Sequence, residues 1–147
     1  MNPTPSHEAK QDDLFISIYR TNEELGAAAA QSAAQTIRSA AEHKQVANVI
    51  LATGNSQLTS LAALRADQSV PWTQVNVFHM DEYVGLDPHH PASFPLFLKR
   101  HLLDHVQPKA FFPVPGHAGD VALACREYEA LLRAHPADLC ALGIGEN

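Results

Sequence analysis

Three short segments carry side chains whose types and spacing could do chemistry. Asp81 and Glu82 stand side by side, directly after an apolar, β-prone run. Neighbouring side chains leave an extended backbone in opposite directions, so at most one of the pair faces a given site. A carboxylate at a strand end, partly withdrawn from water, titrates above its ordinary ~3.9 and nears the range useful to a general base. A solvated acidic loop or a helix cap is the plainer reading of the same pair. The second segment is Thr53-Gly54-Asn55-Ser56. Its glycine lets backbone approach a ligand, and the N–H groups that follow open a helix, where a phosphate is held without any basic side chain. The Thr53 and Ser56 hydroxyls offer two more donors. An ordinary βα turn with Ser56 as N-cap has the same residues, and neither the Walker nor the dinucleotide glycine fingerprint is matched. The third segment, Gly143-Ile144-Gly145-Glu146-Asn147, suits either a close backbone approach or a plain turn.

The remaining candidates point away from metal and redox chemistry. His79 falls in a strand pattern and reads as a packed histidine. His89 and His90 lie between Pro88 and Pro91 in a loop, with no carboxylate or cysteine at ligand spacing. Cys125 and Cys140 show no CxxC spacing and read as reduced thiols. No metal and no other cofactor is expected.

Alternating strands and helices must position these segments. Residues 1–13 are polar and proline-bearing, the composition of a flexible tail. Residues 14–19 (LFISIY) read as a strand, and Thr21 with Glu24 gives a capping-box start to an alanine-rich helix over 23–44. Residues 46–52 are continuously apolar, as in a buried parallel strand. Then follow a helix over 57–66, a strand over 75–80, a polar loop over 81–92 and a helix over 93–105. A short strand over 111–114, an amphipathic helix over 120–134 and an apolar strand over 139–144 complete the pattern. This alternation predicts an α/β fold with a largely parallel, Rossmann-like sheet over a single domain, 14–147. In such sheets ligands bind outside the carboxyl ends of the strands, where all three segments fall. A strand running into 143–147 calls for a loop and a further helix, so the chain reads as the N-terminal part of its domain.

The chain has 147 residues and a formal net charge of -6, with 10 Lys+Arg against 16 Asp+Glu. That balance argues against nucleic acid and anionic membrane as partners, both of which need clustered positive charge. No apolar run approaches the ~20 residues that span a bilayer, and the first residues lack the basic and apolar regions of a secretory signal, which points to the cytoplasm. The charge does not exclude a phosphate ligand, which backbone N–H groups can hold; a homo-oligomer stays open.

Taken together, the segments resemble the glucosamine-6-phosphate deaminase family, within the deaminase and 6-phosphogluconolactonase superfamily. Met80-Asp81-Glu82-Tyr83-Val84-Gly85-Leu86 followed by His90-Pro91-Ala92-Ser93-Phe94 is similar to the family's MDEYVGL…HPxSY stretch. Leu51-Ala52-Thr53-Gly54-Asn55-Ser56 resembles its phosphate turn, and Leu142 to Asn147 resembles the start of its GxGxDGH motif. The resemblance implies a three-layer α/β/α fold and a phosphorylated amino sugar as substrate. It also implies a reaction of ring opening, proton transfer at C2 and release of ammonia. Asp81 matches the enolising base, Thr53, Gly54, Asn55 and Ser56 the phosphate turn, Gly143 the substrate-contacting glycine, and Asn147 the position of a ring-opening aspartate. As an amide, Asn147 orients a neighbouring histidine without favouring its charged form. Gln57 replaces a usual proline at the helix start. The motif's Gly-His and a later glutamate fall after Asn147, which implies little turnover by these residues alone. Two other readings share the fold: a 6-phosphogluconolactonase-like hydrolase, whose relatives carry an arginine soon after the acidic pair, and a sugar-phosphate-sensing domain, which follows a DNA-binding module.

Overall fold

The computed structural model describes residues 3–144. Four parallel strands, β3 (Ala47–Leu51), β4 (Val75–His79), β5 (Ala110–Phe112) and β6 (Leu139–Ala141), form a sheet in the order β5-β4-β3-β6. Two further strands, β1 (His7–Gln11) and β2 (Leu14–Ile18), form a separate antiparallel hairpin. Helices α1 (Asn22–Lys44), α2 (Leu58–Ala66) and α3 (Phe94–Leu98) flank one face of the main sheet, and α4 (Val121–Ala134) flanks the other. The result is three α/β/α layers around a parallel sheet.

Period-2 alternation assigns the two faces. Ala47, Val49, Leu51, Val75 and Val77 point into a core with Ala30, Ala34 and Ile37 of α1, Leu61 and Leu64 of α2, and Leu98 and Leu102. On the opposite face Phe78 stacks on Phe112 at 4.8 Å and meets Tyr128 of α4 edge-on at 6.5 Å. Both faces of β4 are thus covered, and every residue of the strand is buried. Full burial of each such side chain is worth about 1.5–3 kcal/mol.

Local chemistry sets the helix limits. Thr21 Oγ1 accepts the Glu24 N–H at 3.1 Å, the first half of the expected capping box. The reciprocal half is displaced by one residue, because the Glu24 carboxylate accepts from the Arg20 N–H at 3.1 Å and pairs with the Arg20 guanidinium. Inside α1, a Cβ on Gly26 would lie 2.5 Å from the Thr59 Cβ and 2.7 Å from its backbone carbon. That glycine brings α1 against the first turn of α2, immediately after the Thr53–Ser56 turn. The helix expected over 93–105 is shorter. It starts with Pro95 in its first turn and widens at Lys99–Leu103 into a π-helical turn, with Asp104 N–H bonded to the Lys99 carbonyl at 2.9 Å.

The flexible tail expected over 1–13 is corrected in part, since His7–Gln11 pairs with Leu14–Ile18 through the turn at Asp12 (φ 52°). HEAKQ has little strand propensity of its own, and only its partner makes it a strand. Every residue of both strands is exposed.

A buried polar clamp holds the amino end of the main sheet. Asn76 Nδ2 donates to Asn48 Oδ1 at 2.9 Å, and Asn48 Nδ2 donates to the Pro136 carbonyl at 3.1 Å. Asp138 Oδ2 accepts the Asn48 N–H at 2.9 Å and its other oxygen pairs with Lys44. These bonds fix the entry of β6 beside β3. Asn48→Ala leaves buried partners unsatisfied and is expected to lower stability by about 1–3 kcal/mol. Urea unfolding should show an earlier midpoint at unchanged slope; an unmoved midpoint would refute the role given to the clamp.

Candidate functional site

The strand order places the site. The chain moves outward from β3 to β4 and β5, then returns to lay β6 against the other edge of β3. That reversal opens a crevice at the carboxyl ends of β3 and its neighbours. Ala52, Thr53, Gly54 and Ser56 after β3, Met80 and Asp81 after β4, Gly143 and Ile144 after β6, and Phe94 at the start of α3 line one cleft of 670 Å³ there. Segments 91 residues apart (Ala52 to Gly143) therefore share a wall. Of the residues singled out in the sequence, the structure brings Thr53, Gly54, Ser56, Asp81 and Gly143 together. Asn55 is exposed and does not line the cleft, and Asn147 lies outside the described residues.

The turn after β3 is built for backbone exposure. Gly54 sits at φ 111°, a conformation that side-chain-bearing residues rarely adopt, although a Cβ there would meet nothing within 4 Å. Glycine is thus required by backbone angle rather than by space. A short 3-10 turn at Asn55–Gln57 follows, with the Gln57 N–H bonded to the Gly54 carbonyl at 3.0 Å, and leads directly into α2. The N-cap role expected of Ser56 is not made: Gln57 precedes α2 without a side-chain cap, and Ser56 Oγ accepts from Gln57 Nε2 at 3.2 Å. Ser56 keeps its hydroxyl on the cleft instead. A Cβ on Gly143 would lie 3.5 Å from Gln57 Nε2 and 3.8 Å from Ser56 Oγ, so β6 delivers its terminal backbone against this turn. No lysine or arginine is found among the described lining residues, which leaves N–H and hydroxyl donors to meet an anion.

The acidic pair is divided as alternation requires. Asp81 lines the cleft; Glu82 turns away to accept hydrogen bonds from Ser93 Oγ at 2.8 Å and the Phe94 N–H at 3.2 Å. The partial desolvation expected of Asp81 is absent, since the residue is exposed. Met80 and Ile144 on the same cleft are 45% and 97% exposed, so this mouth is open to water.

Just beneath Asp81, His79 is 1% exposed and tilts against Phe111 at 5.9 Å. Its Nδ1 accepts the Val114 N–H at 3.3 Å, and its buried Nε2 has no hydrogen-bond partner. Tyr128 from α4 donates its hydroxyl toward the carbonyls of His79 and Phe112 at 3.1 and 3.0 Å. Burial pushes the Tyr128 phenol up to about 12. Burial also pushes the His79 imidazole down to about 4, against the opposing charge of Glu82. The packed, neutral histidine expected from the strand pattern is what the structure holds. Met80 and Phe94 stand in the family-like stretch quoted from the sequence but were given no role there; the cleft adds them to its lining.

Fold and cleft define a parallel α/β protein with an open crevice at a topological switch point. The chain belongs to the family of glucosamine-6-phosphate isomerases/6-phosphogluconolactonase, whose profile matches residues 20–147. A glucosamine-6-phosphate deaminase of Bacillus cereus is 33% identical over 134 residues, which cover 91% of this chain and 49% of that protein. The solved structure of a monomeric glucosamine-6-phosphate deaminase superposes with a TM-score of 0.71 at 28% identity, over 80% of this chain and 49% of the other. A 6-phosphogluconolactonase from Plasmodium vivax superposes with a TM-score of 0.80 at 12% identity, over 95% of this chain and 51% of the other, a likeness of fold alone. The chain spans about half the length of the curated relatives it matches. Among the described residues, no helix is long and apolar enough to cross a membrane.

His79 gives the sheet's carboxyl end a pH response of known sign. Its folded value of about 4 lies below the ordinary 6.5, so the unfolded chain binds the proton first. Stability is therefore full above pH ~6.5 and falls as pH drops toward ~4. Between pH 7 and pH 5 the loss from this one group is about 2 kcal/mol. Comparing denaturant unfolding at the two pH values, His79→Phe should show a pH difference smaller by that amount. An equal difference in both proteins would remove His79 as its source.

Proposed function

We propose that this chain carries the phosphate turn and the proton-transferring carboxylate of a glucosamine-6-phosphate deaminase-like enzyme. The observation that carries this reading is the meeting of Thr53, Gly54, Ser56, Asp81 and Gly143 on one cleft at the strand ends. The 33% identity to curated deaminases supports the substrate class. The ester phosphate of an amino-sugar phosphate sits against the N–H groups and hydroxyls of residues 53–56, an arrangement suited to an anion at a helix start. From that anchor the opened sugar reaches toward β4, with C2 beside Asp81.

Asp81 then removes the C2 proton of the open-chain aldose and returns it at C1. The C2–H bond breaks and its electron pair forms a C1–C2 double bond, while the C1 carbonyl π pair moves onto O1, which takes a proton from solvent. Protonation at C1 then draws the nitrogen lone pair into a C=N bond and leaves an iminium at C2. Water adds to that iminium and ammonia departs, leaving a ketose phosphate. C1 is reduced as C2 is oxidised, so the step needs no external oxidant. A single positioned carboxylate is the economical catalyst for such a suprafacial shuttle. Gly143 supplies close backbone approach, and Asn147 supplies a neutral amide at the ring-opening position.

The second reading is hydrolysis of a phosphorylated lactone, the other activity in the family's description. That reaction breaks no C–H bond. Tyr83, rather than an arginine, follows the acidic pair here.

The two readings separate on one variant. In the protein at the length of its relatives, Asp81→Asn is expected to lower ammonia release from glucosamine 6-phosphate by about 10²-fold or more while sugar-phosphate binding persists. Solvent deuterium should enter the product's C1 with Asp81 and not with Asn. Lactone opening without any carbon-bound deuterium would move the assignment to the hydrolase. Assayed alone, the 147-residue chain, with Asp81 exposed, is expected to bind weakly and release little ammonia.

A further inference from the structure

Glu82 is the acidic neighbour that the chemistry above does not use, and its surroundings are more elaborate than a solvated loop residue needs. Oε2 accepts from Ser93 Oγ at 2.8 Å and from the Phe94 N–H at 3.2 Å, while Oε1 accepts from the Tyr83 N–H at 2.9 Å. Ser93 is 0% exposed, so its hydroxyl has been taken from water for this contact. On the other side, a Cβ on Gly116 would lie 2.5 Å from Glu82 Cγ and 2.6 Å from the Tyr83 carbonyl. The Gly85 N–H donates to the Gly116 carbonyl at 2.7 Å. The turn that carries Asp81 is therefore gripped from two directions: from the start of α3 through the Glu82 carboxylate, and from the loop after β5 through Gly116.

Two of the groups so gripped lie on the cleft. Asp81 precedes Glu82 directly, and Phe94, whose N–H bonds to Glu82, contributes its own side to the wall. The Tyr83 and Phe94 rings meet at 5.1 Å across the same junction. Hydrogen bonds to an ionised acceptor are the stronger kind, so one carboxylate sets the spacing between the proposed base and the wall opposite.

We infer that Glu82 is a positioning residue, a carboxylate clasp that holds Asp81 and Phe94 in fixed relation at the cleft. It touches no substrate. The proposal rests on the reading of Asp81 given above for its catalytic consequence, and on the hydrogen bonds alone for its structural one.

The two consequences are measured separately. By amide hydrogen exchange on the 147-residue chain, Glu82→Ala should speed exchange of the Phe94 N–H roughly tenfold or more, while Val77 and Phe78 in β4 keep their protection. Glu82→Gln retains one acceptor oxygen and should restore part of the Phe94 protection. Gly116→Ala, which displaces the Glu82 stem without touching its carboxylate, should reproduce the Ala pattern. With glucosamine 6-phosphate and the protein at its relatives' length, Glu82→Ala should lower kcat roughly tenfold or more with KM changed less than about twofold.

Unchanged Phe94 exchange in Glu82→Ala overturns the clasp, as does loss of protection spread evenly through β4. Faster Phe94 exchange with an unaltered kcat overturns its positioning role. If Asp81→Asn also leaves turnover intact, the reading of Asp81 has failed, and the exchange data decide the clasp by themselves.

Discussion

The pairing of β3 with its two neighbours governs everything at the cleft. Val49 lies opposite Val77 on one side and Leu139 on the other, and Leu51 lies opposite both His79 and Ala141. All three strands thus end at the same level, and the three turns that follow emerge side by side. A slip of one residue in either ladder would send the apolar face to the wrong layer and carry Asp81 or Gly143 out of reach. Apolar burial alone resists such a slip by face, and the Asn48–Asn76–Asp138 clamp resists it by position along the strand. The clamp lies at the amino end and the cleft at the carboxyl end.

The division of the acidic pair shows how little chemistry is needed to give adjacent carboxylates different work. Asp81 and Glu82 differ by one methylene and one residue. Because β4 ends in an extended turn, one points to the crevice and the other to Ser93 and Phe94. Three donors hold the Glu82 carboxylate in place, whereas Asp81 keeps its oxygens available. Beneath them His79 contributes no charge of its own, since burial holds its imidazole neutral at ordinary pH. A cationic histidine there would pull on both carboxylates; a neutral one lets geometry decide.

Much of this was legible in the residues. The apolar run at 46–52 and the strand pattern at 75–80 gave the central parallel strands to within a residue or two, because a strand buried on both faces is largely apolar on both. Thr21 announced the start of α1 through a capping bond that the structure makes, whereas the cap that Asp120 gives α4 was not anticipated. The cleft's membership followed from the strand-end rule rather than from any single motif. What could not be read locally was whatever depends on a distant partner. HEAKQ becomes a strand only because LFISI lies alongside it. Nothing local in the alanine-rich helix marks Gly26 as the point where Thr59 packs against it. Ser56 had the chemistry of an N-cap, but the 3-10 turn at Asn55–Gln57 moves the helix start past it. Ser93 likewise looked like the opening of a helix, and its hydroxyl is spent on Glu82.

The exposure of Asp81 bears directly on what the site can do. A base for a carbon acid works best when its carboxylate is partly shielded, because water competes for the oxygen and weakens the driving force for proton transfer. In this chain the floor of the crevice is finished, with Gly54 and Gly143 brought to the turn and Glu82 clasped behind Asp81. The side toward Met80 and Ile144 is open. The chain spans about half the length of the relatives it matches. Its strand ends hold residues 80–94 in a defined geometry, with Asp81 open to solvent beside Met80 and Ile144.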